Sequence, residues 1–252
     1  MSLIKTDEHD IKILYQMLYD VDDLFNINNI KYWIDGGTLL GAVRHQGIIP
    51  WDDDVDISIL QSEEKKFLKL KKKLKTYGYG VCHFFWGYKI YPYKEIGGTQ
   101  IKKNEWKEHL KKYQNTGLNR PEMFKKASKT YIKPKEQTYY EYTYPNIDVF
   151  VTEKNQNIIK YNSTNHPEFP EDWKICYFNT NDLFPLKRYK FGSFEVNGAK
   201  NPKPYLDLLY GNDWSTHAYQ QFNHKKEKRI EKKKVKLKTK DKKPAYPIEV
   251  EE

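Results

Sequence analysis

The stretch Asp52-Asp-Asp-Val-Asp-Ile-Ser-Ile-Leu60 constrains this chain more than any other. Val55, Ile57 and Ile59 are β-formers, and Asp54, Asp56 and Ser58 alternate with them. That two-residue period predicts a strand. Residues two apart on a strand share a face, so Asp54 and Asp56 aim their carboxylates into the same space. Carboxylates that close repel, and each raises the pKa of the other unless a cation sits between them. Mg²⁺ or Mn²⁺ suits such a place, being hard and oxygen-seeking. An aspartate triplet alone is most simply a solvated acidic turn. Acids at the mouth of a half-buried strand are costly without a partner, which favours a metal site. Asp52 shares the parity of Asp54 and Asp56 and is a further candidate ligand; Asp53 points the other way.

Upstream, Lys31 to Asp35 reads as a short strand. Gly36-Gly37 breaks it, and Thr38 to Arg44 reads as a short helix. A glycine turn into a helix N-terminus offers free N–H groups and a positive dipole end to an anion. Gly36, Gly37 and Thr38 are therefore candidate phosphate contacts, and Arg44 and His45 add possible charge. A glycine pair alone is more often a tight turn; the acids that follow give it value.

The block G-G-T-L-L-G-A-V-R-H-x-G-x-I-P-W-D-D-D-x-D resembles the signature of the LicD family. That family includes bacterial phosphocholine transferases and the animal fukutin and fukutin-related proteins. Three later segments add to the resemblance: Asn146-Ile-Asp-Val-Phe150, Pro185 to Phe191, and Asn201-Pro-Lys-Pro-Tyr-Leu-Asp-Leu-Leu-Tyr-Gly-Asn-Asp-Trp214. It spans about residues 28 to 215 and implies a nucleotidyltransferase-like fold, α/β or α+β, with a mixed sheet flanked by helices. It implies Asp148 as the third carboxylate beside Asp54 and Asp56, all three catalytic through the metal. It implies transfer of a phospho-substituent from a CDP-linked donor to a glycan hydroxyl. Asp148 is also a weaker candidate for orienting or deprotonating that hydroxyl, since a metal-bound carboxylate is a poor base. Arg44 and Lys187 or Arg188 are candidate phosphate contacts, with an ordinary surface cation as the plain alternative.

At 252 residues, 38% hydrophobic and 15% aromatic, the chain can bury a core. No apolar run is long enough to span a membrane. The opening MSLIKTDEHD lacks the apolar segment of a signal peptide, so a cytoplasmic location is expected. Cys82 and Cys176 have no CxxC partner, and the seven histidines are scattered, so zinc is not suggested. Basic charge is concentrated: residues 225–243 hold twelve Lys/Arg against three acids. The expected organisation is one domain over 1–224 and a basic, flexible tail over 225–252. That tail is either solvated or in contact with an anionic membrane, a polyanionic glycan or nucleic acid.

Along the chain, Ile11, Leu14, Leu18, Val21 and Phe25 recur at helical spacing and predict a core-facing helix. A lysine-rich helix is expected from Ser62 to Lys75. Strands are expected over Val81–Trp86, Tyr88–Tyr93 and Ile158–Tyr161. Residues 97–140 read as an insertion with a helix at Asn104–Tyr113. A last helix starts at Pro202 and ends before Gly211. Two other functions fit the same residues: a nucleotidyltransferase using a nucleoside triphosphate, and a non-catalytic glycan-binding module.

Overall fold

The computed structural model describes residues 3–84, 86–102, 139–162, 176–226 and 228–246. Helix α1 (Glu8–Ile27) starts at Asp7, whose side chain accepts the His9 N–H at 2.9 Å. The whole predicted stripe, Ile11, Leu14, Leu18, Val21 and Phe25, is buried. After it come β1 (Tyr32–Ile34), α2 (Gly36–His45) and β2 (Val55–Leu60). The lysine-rich helix divides at Leu70 into α3 (Gln61–Lys69) and α4 (Lys71–Thr76); the Leu70 N–H donates to the Phe67 carbonyl three residues back, at 2.9 Å. Strands β3 (Tyr79–Phe84) and β4 (Gly87–Pro92) form a hairpin. Strands β5 (Thr99–Lys102) and β6 (Tyr139–Tyr144) pair antiparallel across the expected insertion, and the helix expected at 104–113 lies outside the described residues.

Next are β7 (Ile147–Asn155), β8 (Ile158–Tyr161) and β9 (Tyr177–Asn179), then the short α5 (Thr180–Leu183). Strands β10 (Lys187–Phe191) and β11 (Phe194–Gly198) make a small hairpin beside β1. Helix α6 (Lys203–Tyr210) begins after Pro202 and is stopped by Gly211 at φ +79°.

The main sheet has seven strands in the order β1-β2-β7-β4-β3, with β8 paired to the far half of β7 and β9 to β8. Among the described residues only β2 and β7 of this sheet run parallel; its other pairs are antiparallel, so the sheet is mixed. These two strands lie at its centre and are buried on both faces over most of their length. Helices flank the sheet, as the resemblance implied. Cys82 and Cys176 are both free thiols. Among the described residues, no helix is long and apolar enough to cross a membrane.

Part of the segment read as a flexible basic tail is built into the fold. Strand β12 (His217–Asn223) passes through a 3-10 turn (His224–Lys226) into β13 (Lys228–Lys236), and the two strands pair antiparallel. Ala245 is buried, and its N–H donates to the Ile48 carbonyl at 2.8 Å. The lysine run suggested solvation, but alternate residues of a strand can face solvent while its backbone pairs.

Candidate active site

Parallel pairing sets Asp56 of β2 opposite Asp148 of β7. Asp54 precedes β2 with the same parity as Asp56. Oxygens of Asp54, Asp56 and Asp148 all lie within 4.8 Å of one another. Asp56 and Asp148 are buried, and Asp54 is only 9% exposed. Burial, then the neighbouring charges of Asp54 and Asp148, push the Asp56 carboxyl well above the usual carboxylate range. Burial also pushes Asp54 up, to about 6, partly offset by His224. The three side chains proposed from sequence are thus in one place.

Asp52 sits outside this group. A Cβ added to Gly37 would lie 2.6 Å from Asp52 Oδ2, so that carboxylate rests on the helix start. Gly36 is under a stricter demand: its φ is +46°, and a Cβ there would lie 2.5 Å from Asp56 Oδ2. Only glycine combines that backbone with that approach.

The glycines open α2 rather than precede it, because Asp35 caps the helix and accepts the Gly36 N–H at 2.8 Å. The Gly37 N–H donates to Asp56 Oδ2 at 3.2 Å. The amides expected to meet phosphate are therefore engaged with carboxylates here. Thr38 Oγ1 accepts the Asp56 N–H at 2.8 Å, so Thr38 positions the Asp56 backbone.

Arg44 is half-buried and donates from Nη1 to the carbonyls of Trp214 and His217, which ties α2 to the segment after α6. Burial lowers its pKa to about 10, and nearby Asp52 counters that. Burial and Arg44 push His45 down to about 3, so His45 adds no positive charge. Arg188 forks onto Asp22 of α1 at 2.7 and 2.9 Å, and Lys187 is exposed at the start of β10. Neither is brought to the carboxylates. The residue types suggested phosphate contacts; the fold uses the two arginines as internal ties.

Four residues that the sequence reading did not propose for the site lie beside it. Lys89 on β4 is opposite Asp148 and fully buried. Its Nζ lies 2.6 Å from Asp148 Oδ1 and 2.8 Å from Asn146 Oδ1. The rings of Phe84, Tyr142 and Trp86 surround it at 4.7, 5.2 and 5.5 Å. A lone lysine in the aromatic run Phe84-Phe-Trp-Gly-Tyr-Lys89 was the available signal. Asp35 lies just behind the glycines and is buried. It accepts from Ser58, from Tyr205 at 2.6 Å and from Tyr161 at 3.3 Å. Tyr210, at the end of α6, is close enough for Asp56, Asp52 and Asp35 to raise its pKa further, after burial. His224 reaches Asp53 and Asp54 from the β12–β13 turn, and nothing local in the sequence marks it.

A central parallel strand pair bearing facing carboxylates, beside a glycine-opened helix, is the arrangement of a nucleotidyltransferase-like α+β domain. The chain is similar to the LicD family over part of its length: residues 29–94 match the model described as LicD/FKTN/FKRP, nucleotidyltransferase domain. An uncharacterized protein of Rickettsia typhi is 32% identical over 205 residues, covering 81% of this chain and 47% of that protein. The chain thus spans about half the length of that relative. The lipopolysaccharide cholinephosphotransferase LicD of Haemophilus influenzae is 51% identical over 39 residues, 16% of this chain and 15% of LicD. The ribitol 5-phosphate transferase FKRP of Homo sapiens is 63% identical over 30 residues, 12% of this chain and 6% of FKRP.

Proposed function

We propose that this chain is a Mg²⁺- or Mn²⁺-dependent phosphotransferase of the LicD type. It would move a phospho-substituent, such as phosphocholine or an alditol phosphate, from a CDP-linked donor to a glycan hydroxyl. The observation that carries this reading is the convergence of Asp54, Asp56 and Asp148 at the N-terminus of α2. The named relatives, a cholinephosphotransferase and a ribitol 5-phosphate transferase, support the donor class.

The residues fit a hard divalent cation. All three donors are carboxylate oxygens, and Lys89 offsets only part of their charge. When bound, the cation would neutralise charge developing on the donor diphosphate. Asp54, Asp56 and Asp148 would hold it. Lys89 and Asn146 would fix the Asp148 carboxylate, and the Gly37 amide would steady Asp56. The basic run on β13 would suit an anionic acceptor surface, through an attraction that salt weakens.

Isothermal titration with CDP, with and without Mg²⁺, and with ATP as comparator, tests this reading. Metal-dependent binding of CDP in preference to ATP is expected. Preference for ATP would shift the assignment to nucleotidyl transfer, and binding of neither nucleotide would remove it.

A further inference from the structure

We infer that His224 is a ligand of the same cation through Nε2, with Asp53 as its positioning residue. This rests on the metal reading above and extends it to a side chain outside residues 29–94.

Asp53, Asp54 and His224 form a second group whose ligand atoms lie within 4.8 Å of one another, and Asp54 belongs to both groups. Asp53 holds the histidine twice. Its Oδ2 accepts the His224 backbone N–H at 2.9 Å, and its Oδ1 lies 2.6 Å from Nδ1. With Nδ1–H given to Asp53, Nε2 is the nitrogen that can lose its proton and bind a cation in place of that charge. Nε2 lies 3.1 Å from Asp54 Oδ2. Neighbouring ligands on an octahedral ion with bonds of about 2.1 Å stand about 3 Å apart. A carboxylate that orients a metal-binding histidine through its other ring nitrogen is a recurrent second-shell arrangement.

The turn is firmly seated. The ring of Phe222 lies 4.6 Å from that of His224. Lys225 Nζ pairs with the buried Asp10 at 2.8 Å. Gln220 Nε2 donates to the carbonyls of Ile4 and Trp51 at 2.9 and 3.3 Å. The same contacts serve a purely structural fastening of the hairpin, and the ligand assignment differs from it in one respect. A nitrogen ligand suits a transition ion better than Mg²⁺, so the site should prefer Mn²⁺.

The test uses the full chain with Mn²⁺ alone, read by electron spin-echo envelope modulation. Wild type should show ¹⁴N modulation from a coordinated imidazole, and His224→Gln should lose it. His224→Gln should also weaken Mn²⁺ binding by about tenfold or more while changing Mg²⁺ binding less. Asp53→Asn should keep the modulation and weaken Mn²⁺ binding by about tenfold. Circular dichroism checks the fold of each variant, and the wild-type spectrum requires no variant at all. Mn²⁺ bound without nitrogen modulation, or modulation that persists in His224→Gln, would overturn the inference. Loss of Mn²⁺ in Asp54→Asn alone, with His224→Gln like wild type, would remove His224 and leave the carboxylate site standing. No Mn²⁺ bound by wild type would overturn both.

Discussion

Asp35 and Asp56 are two buried aspartates at the two ends of one hydrogen bond, from the Asp35 N–H to the Asp56 carbonyl at 3.0 Å. Their side chains live in opposite surroundings. Asp35 receives four donors: the Gly36 amide and the hydroxyls of Ser58, Tyr161 and Tyr205. Those donors counter the burial that raises its pKa. Asp56 receives the Gly37 amide and faces Asp54 and Asp148, whose charges push its pKa further up. A buried carboxylate satisfied by hydroxyls holds a fold together. One faced by like charges is poised for a cation. The same residue type is a fastener in one place and a candidate ligand in the other.

The largest effect that tests this contrast is on activity. Asp56→Asn should lower turnover on the order of 10³-fold, as loss of other charge-stabilising groups does in transfer reactions. Its metal-free melting temperature should hold or rise, because a repulsion is removed. An active Asp56→Asn would break the contrast. Lys89→Met should cost about 3–5 kcal/mol in denaturant unfolding, since it leaves Asp148 buried beside like charges without its partner. Asp35→Asn should cost about 1–3 kcal/mol by the same measurement, since the amide nitrogen meets donors where an acceptor is needed. Metal binding should survive in the folded fraction of that variant.

The smallest effect is in pH. Asp54 is raised to about 6, and Asp35 and Asp56 are raised as well. A raised carboxyl holds its proton better folded than unfolded, so these groups stabilise most below the unfolded value near pH 4. That contribution falls as pH rises from about 4 through about 6. Melting temperatures of metal-free protein across this window should show the fall, and Mg²⁺ or Mn²⁺ should reduce it. A fall unaffected by metal would separate the titration from the cation site.

Much of the framework was legible in the sequence because it is local. The spacing of Ile11, Leu14, Leu18, Val21 and Phe25 predicted α1, and all five are buried. The alternation around Asp56 predicted β2, and Gly211 ends α6 as expected. Two helix boundaries differ from the expected ones. Capped by Asp35, α2 starts two residues before the expected Thr38, and the lysine-rich helix divides at Leu70. The parity of Asp54 and Asp56 is likewise a property of the chain itself.

What the chain could not state is which distant groups meet those carboxylates. Lys89 reaches Asp148 because β4 and β7 pair in one register, and a slip of one residue would turn it to the other face. Arg44 and Arg188 carry charge in sequence, but packing directs them to backbone carbonyls and to Asp22. His224 arrives from 171 residues away along the chain. Sequence determined the strand and helix periods and the acids that share a face, because those follow from backbone geometry a few residues long. Tertiary structure alone decided which cations, hydroxyls and imidazole surround them, because charge compensation in a buried site depends on distances that only the folded chain sets.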